Sequence, residues 1–226
     1  MHLFTNVALS SQYLPTFERA LRNDRHLLSL TNVLNIYCDP PLPISSLLIT
    51  HRFQNLKILT ARRLNLVREH TWLSRPQLSH SIVELYLWEV RDRKVSRLIR
   101  FINSFHSLEA LTIFFTSTSL EYTGQILPKP AHIPTRSRQN LILDLVPGVS
   151  TLIGWLLKAE SYLAYTEHLS LTCKGFRDKT KFRSCFEGVE ELLHHCSATV
   201  EHLGVDLIRV SMIDEISDLF HLEAFL

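Results

Sequence analysis

Ile82-Val83-Glu84-Leu85-Tyr86-Leu87 and Leu108-Glu109-Ala110-Leu111-Thr112-Ile113 share one spacing: apolar, two free positions, apolar, one free position, apolar. Between them Val95, Leu98, Ile99, Ile102 and Phe105 recur every three or four residues, which places them on one face of a helix. The stretch therefore predicts strand, turn, helix, turn, strand, the unit that carries a chain to a parallel neighbour. Its two strand patterns open at Ile82 and at Leu108.

The same pattern can be walked outward. One equal step upstream of Ile82 lies Leu56-Lys57-Ile58-Leu59-Thr60-Ala61. Weaker copies are Phe4–Leu9, Thr31–Ile36, Leu141–Leu145, Thr166–Leu171 and Val200–Val205, and the stride between them is uneven. This is the strand signature and approximate period of a leucine-rich repeat, kept irregularly. Residues 1–226 are expected to form one α/β domain, an irregular leucine-rich-repeat-like solenoid with a parallel sheet on one side and helices on the other.

The connecting segments agree. Leu14, Phe17 and Leu21 have helical spacing, as do Val149, Leu152, Ile153, Leu156 and Leu157 after Pro147-Gly148. Phe182, Cys185, Phe186, Val189, Leu192, Leu193 and Cys196 predict a third and longest helix. Pro40, Pro41 and Pro43 leave only a short turn around Ser45–Thr50. Asn65–Ser81, with Trp72 and Pro76, is expected to cross the convex side as a packed loop. Residues 116–138, with Pro128, Pro130, Pro134 and Gly124, predict an exposed loop or insertion. Met212–Phe220 predicts a terminal helix.

Composition excludes several classes. With 46% hydrophobic and 20% charged residues the chain has enough apolar material for a core and is not a disordered polymer. Residues 1–113 carry 14 Lys/Arg against 8 Asp/Glu and residues 114–226 carry 10 against 14, net +6 and −4. That asymmetry can orient a partner but is too mild for nucleic-acid binding. Cysteines at 38, 173, 185 and 196 show no paired spacing, as expected of reduced thiols in cytoplasm or nucleus. No signal peptide or membrane-spanning run is legible, so an intracellular protein without a membrane partner is expected.

Catalytic and metal motifs are not found. His194-His195-Cys196 with Cys185 and Cys173 is the best ligand cluster, yet Cys185 and Cys196 lie about 20° apart on a helical wheel and share the apolar stripe. Buried thiols are the expected reading, with no metal and no cofactor. The run Arg91-Asp92-Arg93-Lys94 with Arg97 and Arg100 is expected to be a solvated helix face. No phosphate loop, Gly-x-Ser-x-Gly or His-Glu-x-x-His sequence occurs. No catalytic residue is assigned, and an enzyme is not expected.

Residues between the pattern positions point outward onto the concave sheet. They are Val33, Asn35 and Tyr37; Ile58, Thr60 and Arg62; Glu84, Tyr86 and Trp88; Ala110, Thr112 and Phe114; and Asn140, Ile142 and Asp144. Aromatic side chains and arginine anchor interfaces. Tyr37, Arg62, Tyr86, Trp88, Thr112, Phe114 and Asp144 are accordingly the candidate partner-binding residues, with Arg62 and Asp144 at the rim of an aromatic patch. The competing expectation is that a loop or residues 116–138 fold over that patch.

Ser81-Ile82-Val83-Glu84-Leu85-Tyr86-Leu87 and Arg100-Phe101-Ile102-Asn103-Ser104-Phe105-His106-Ser107-Leu108-Glu109-Ala110-Leu111-Thr112-Ile113 resemble the repeat region of fungal F-box proteins. His2-Leu3-Phe4-Thr5-Asn6-Val7-Ala8-Leu9-Ser10-Ser11 resembles the strand that follows the F-box there. The resemblance implies a substrate receptor of ubiquitin ligation, whose repeats hold a target protein. The F-box itself is absent from these residues, so docking to a ubiquitin-ligase adaptor is expected only if one exists upstream of Met1. The alternatives are a truncated fragment without independent function and an enzyme of unrecognised type.

Overall fold

A computed structural model of the chain describes residues 5–24, 26–37, 53, 55–66, 81–105, 107–116, 120–121, 139–158, 166–174 and 179–208. The described residues form eight strands: β1 Asn6–Ser10, β2 Val33–Tyr37, β3 Ile58–Arg62, β4 Glu84–Val90, β5 Ala110–Phe115, β6 Gln139–Leu145, β7 Thr166–Lys174 and β8 His202–Ile208. All neighbours are parallel and the spatial order is the sequence order. The protein is α/β, built on one eight-stranded parallel sheet.

The register repeats the stride read from the sequence. Asn6, Val33, Ile58, Glu84 and Ala110 stand side by side at nearly equal intervals along the chain. Asn140, His168 and His202 continue the row after longer steps. Each of the early strands is started by the same device. The carbonyl of Thr5 accepts hydrogen bonds from the amides of Asn32 and Val33, and those of Asn32, Lys57 and Val83 each accept two successive amides in the next strand.

Helices α1 Leu14–Asn23, α2 Leu27–Leu30, α3 Val95–Ile102, α4 Ser150–Lys158, α5 Lys179–Phe186 and α6 Val189–Cys196 lie in the connections. Pro15 sits in the first turn of α1, where its missing amide costs no helical hydrogen bond. Phe17 and Leu21 of α1, Val95, Leu98, Ile99 and Ile102 of α3, and Leu152, Ile153 and Leu156 of α4 are buried in one core. That core also contains the inward residues of the strands, among them Leu34, Leu59, Leu85, Leu87, Leu111, Ile113, Leu141 and Leu143. Leu85, Leu87, Leu111 and Ile113 are 0% exposed, as their pattern positions require. No helix among the described residues is long and apolar enough to cross a membrane.

Two elements depart from the expectation. The single long helix predicted from Phe182 to Cys196 is two helices, α5 and α6, because Gly188 adopts φ +81° between them. A Cβ there would touch Ile153 Cγ2 at 3.4 Å, so the break sets α6 against α4. Of residues 116–138, Thr116, Leu120 and Glu121 are described, and Leu120 is buried rather than exposed. The Leu120 amide bonds the Pro147 carbonyl at 2.7 Å, and the Glu121 amide bonds the Arg93 carbonyl at 2.7 Å. These bonds tie the segment to the turns before α4 and α3. Gly148, at φ +83°, is required at that junction because a Cβ would strike the Leu120 carbonyl. Expectations for Phe4, the turn at 45–50, residues 67–80, the remainder of 116–138 and the helix 212–220 fall outside the described residues.

Removing the Leu87 side chain should open a cavity between β4 and the helices that the neighbours cannot fill. Leu87→Ala is expected to lower the unfolding free energy by about 2–5 kcal/mol, measured by urea denaturation, without change in helix or strand signature by circular dichroism.

Candidate functional site

The sheet face away from the helices carries its side chains in rows that cross the strands. The row nearest the strand ends is Ser10, Tyr37, Arg62 and Trp88 in direct register. β4 then takes three steps, from Leu87 to Val90, while β5 takes two, from Ile113 to Phe115. This bulge sets Trp88 and Glu89 against Phe114. The Trp88 and Phe114 rings stack with centroids 4.4 Å apart and planes at 17°. Arg62 Cζ lies 5.9 Å from the Trp88 ring centroid, and Arg63 Cζ lies 5.2 Å from that of Tyr37. Four adjacent strands thus present a continuous run of aromatic rings and guanidinium groups.

Local backbone chemistry holds this run. Arg63 and Glu89 both adopt φ 58°, the left-handed region that costs non-glycine residues energy. The Arg63 amide donates to the Trp88 carbonyl at 2.8 Å, and the Arg91 amide to the Leu64 carbonyl at 2.9 Å. The Arg63 side chain donates from Nε to Glu89 Oε2 at 3.0 Å. Arg63 is therefore charge-paired, whereas Arg62 has no ion pair among the described residues. The resulting sites differ: one guanidinium is internally satisfied and the other faces outward.

The structure sorts the sequence candidates. Tyr37, Arg62 and Trp88 are exposed, and Tyr86 and Phe114 are half-buried. Thr112 lies on the expected face but is buried, because the larger Tyr86 and Ile142 flank it in register. Asp144 is the plainest correction. It is 0% exposed, and its Oδ2 accepts the Phe115 amide at 3.0 Å. It completes the end of β5, where ladder pairing with β6 has stopped at Ile113–Leu143, and supplies no rim charge. The Tyr86 hydroxyl donates to Glu84 Oε2 at 2.7 Å. Burial, then that bond and the Glu84 charge, push its pKa up to about 12.

Sequence reasoning missed the groove beside the row. A cavity of about 600 Å³ lies over β1–β3, lined by Ser10, Tyr13, Asn35, Tyr37, Thr60 and Arg62 among others. Tyr13, in the turn after β1, is 58% exposed and forms one wall. Its only signal is an aromatic residue just before a helix, indistinguishable in sequence from a core staple. Arg63 and Glu89 were missed because a positive φ on a non-glycine residue leaves no mark in the pattern.

The thiol cluster is a core feature. Cys173, Cys185 and Cys196 are all buried. Contact with Cys173 and burial raise the Cys185 pKa, and burial raises that of Cys196 to about 11. These two thiols stay protonated at neutral pH. Among the described residues no three His, Cys, Asp or Glu side chains converge as a metal site. Compared with protein-family models, curated proteins and solved structures, the chain matches none.

Two outcomes are expected. Asp144→Ala should cost about 1.5–3 kcal/mol in urea denaturation by stranding the Phe115 amide, and Asp144→Asn, which keeps an acceptor, should cost less. The raised Tyr86 pKa favours the folded state in full below pH 10, and this contribution is lost as pH climbs towards 12. Tyr86→Phe should therefore flatten the decline in stability over that window, read by denaturant titrations at successive pH values.

Proposed function

We propose that the chain is a non-enzymatic protein-interaction module, a leucine-rich-repeat-like solenoid whose open sheet face receives a polypeptide partner. One observation carries the reading: Trp88, 36% exposed, is stacked on the Phe114 ring with the Arg62 guanidinium near its face rather than buried in the core. Interfaces are anchored by tryptophan, tyrosine and arginine in this manner, since a fixed aromatic side chain loses little entropy on binding. The even step from Ile58 to Glu84 to Ala110 supports the repeat reading, because it brings equivalent positions into one row.

The resemblance to the repeats of fungal F-box proteins gives the reading its direction. Repeats of that kind hold the protein that is to be ubiquitinated, and the open face of this sheet is the matching surface. Assembly with a ubiquitin-ligase adaptor is the work of an F-box and is not proposed for the residues described. An intracellular, cytoplasmic or nuclear setting follows from the same reading and suits three buried, unoxidised cysteines.

Trp88→Ala tests the proposal. An outward side chain contributes little to the core, so the variant should melt within a few degrees of wild type. Affinity for a captured partner should fall by about 2 kcal/mol or more, measured by titration calorimetry. A variant that unfolds early yet binds the same proteins with undiminished affinity would sink the assignment of this face.

A further inference from the structure

The groove over β1–β3 has a chemical bias that the aromatic row does not explain. None of its described lining residues is acidic. It offers the Arg62 guanidinium, the hydroxyls of Tyr13 and Tyr37, the Gln12 amide and the hydroxyls of Ser10 and Thr60. Ser10 Oγ is buried without a hydrogen-bond partner among the described residues. Arg62 has no carboxylate of its own among those residues, while the neighbouring Arg63 is engaged by Glu89 at 3.0 Å. The pair Arg63–Glu89 contributes no net charge, so among the described residues the groove presents one net positive charge with neutral donors around it.

We infer that this groove seats a single carboxylate, the acidic side chain of an extended segment of the protein partner. The inference rests on the interaction reading above and names the chemistry of what binds. One guanidinium with planar donors matches one carboxylate in a two-bond fork, whereas a phosphate dianion calls for more than one cation or a nest of amides. The net charge of +6 over residues 1–113, against −4 over the rest, draws an acidic segment toward this half of the sheet. Geometry supplies a spacing. Adjacent strands lie about 4.8 Å apart, so the Trp88–Phe114 stack is centred about 7 Å from Arg62, close to the separation of residues i and i+2 in an extended chain. A segment with an acidic residue and, two positions away, an apolar or aromatic residue would place the first on Arg62 and the second on the stack.

The test is selection of a displayed random dodecapeptide library on the full chain, followed by affinity measurement of the enriched peptides by fluorescence polarisation. The expected motif is acidic-x-apolar in either direction. Arg62→Gln should weaken these peptides about tenfold or more, as should a Glu→Gln change in the peptide, and the two changes together should be no worse than either alone. Arg62→Lys should restore only part of the affinity, because an ammonium cannot form the fork. The peptide-side change carries the test even if Arg62→Gln disturbs folding. Enriched peptides that lose affinity with Trp88→Ala but lack an acidic preference, or ignore Arg62→Gln, overturn the carboxylate seat and leave the interaction face standing. Peptides displaced by millimolar inorganic phosphate but not by acetate overturn it in favour of a phosphate site. Absence of any enrichment, or indifference to both Trp88→Ala and Arg62→Gln, overturns the face and the seat together.

Discussion

Parallel pairing of each strand with the one before it is the constraint on which the structure depends. A parallel neighbour must be reached by a crossover, and crossovers are right-handed in nearly all proteins. The spatial order of β1 to β8 never reverses, so crossovers of one hand share a face, and α1, α3, α4 and α6 share one core with the inward strand residues. This one topological fact buries Leu34, Leu59, Leu85, Leu111 and Leu141 against helices and leaves the opposite face without a helical layer among the described residues. The doubled hydrogen bonds at the carbonyls of Thr5, Asn32, Lys57 and Val83 hold that order at the strand starts.

On that opposite face the described side chains meet their row neighbours across the strands, so row chemistry shapes the contacts there. Trp88 and Phe114 stack across β4 and β5, and such a pair contributes about 0.5–1.5 kcal/mol beyond its buried area. The left-handed backbone at Arg63 and Glu89 costs about 1–3 kcal/mol at each residue. Their ion pair, with side chains 33% and 45% exposed, is too solvated to offset that alone. The inter-strand bonds from the Arg63 and Arg91 amides, together with the apolar surface of Leu64 and Val90 on the core side, are the compensating interactions. Strain of this kind persists where the surroundings over-determine it, and here it lies beside the aromatic row.

The sequence was most legible where one physical rule acted alone. The inward positions of the strands follow from alternation and stride, because burying Leu87 and exposing Trp88 are consequences of a two-residue period. Legibility failed where two rules competed. Asp144 occupies an outward position by alternation, yet the Phe115 amide, beyond the end of the β5–β6 ladder, draws its carboxylate into a buried hydrogen bond. The apolar stripe from Cys185 to Cys196 has helical spacing throughout, yet Gly188 breaks it because its backbone adopts φ +81°, a conformation that suits glycine. The groove was illegible for a third reason: it is made by Tyr13 in a turn and Arg62 on a strand two repeats away, a meeting that no local pattern encodes.

The two edges of the sheet show how much of the burial belongs to the helices rather than to the strands. At the β1 edge Val7 and Leu9 have a strand on one side only, yet they are 8% and 4% exposed, because Phe17 and Leu21 of α1 belong to the same core. At the β8 edge Leu203 and Val205 pair in register with the buried Leu169 and Leu171 but remain 42% and 41% exposed. Among the described residues no helix follows β8, and there pairing hides the backbone while the side chains stay half-exposed. A fully covered Leu or Val side chain contributes about 1.5–3 kcal/mol, and a half-exposed one forfeits a large part of it. The interior strands gain both terms, pairing on two edges and a helical layer above, and the row from Tyr37 to Phe114 stands on those interior strands. The strands that carry the exposed Trp88 are thus supported from the far side of the sheet.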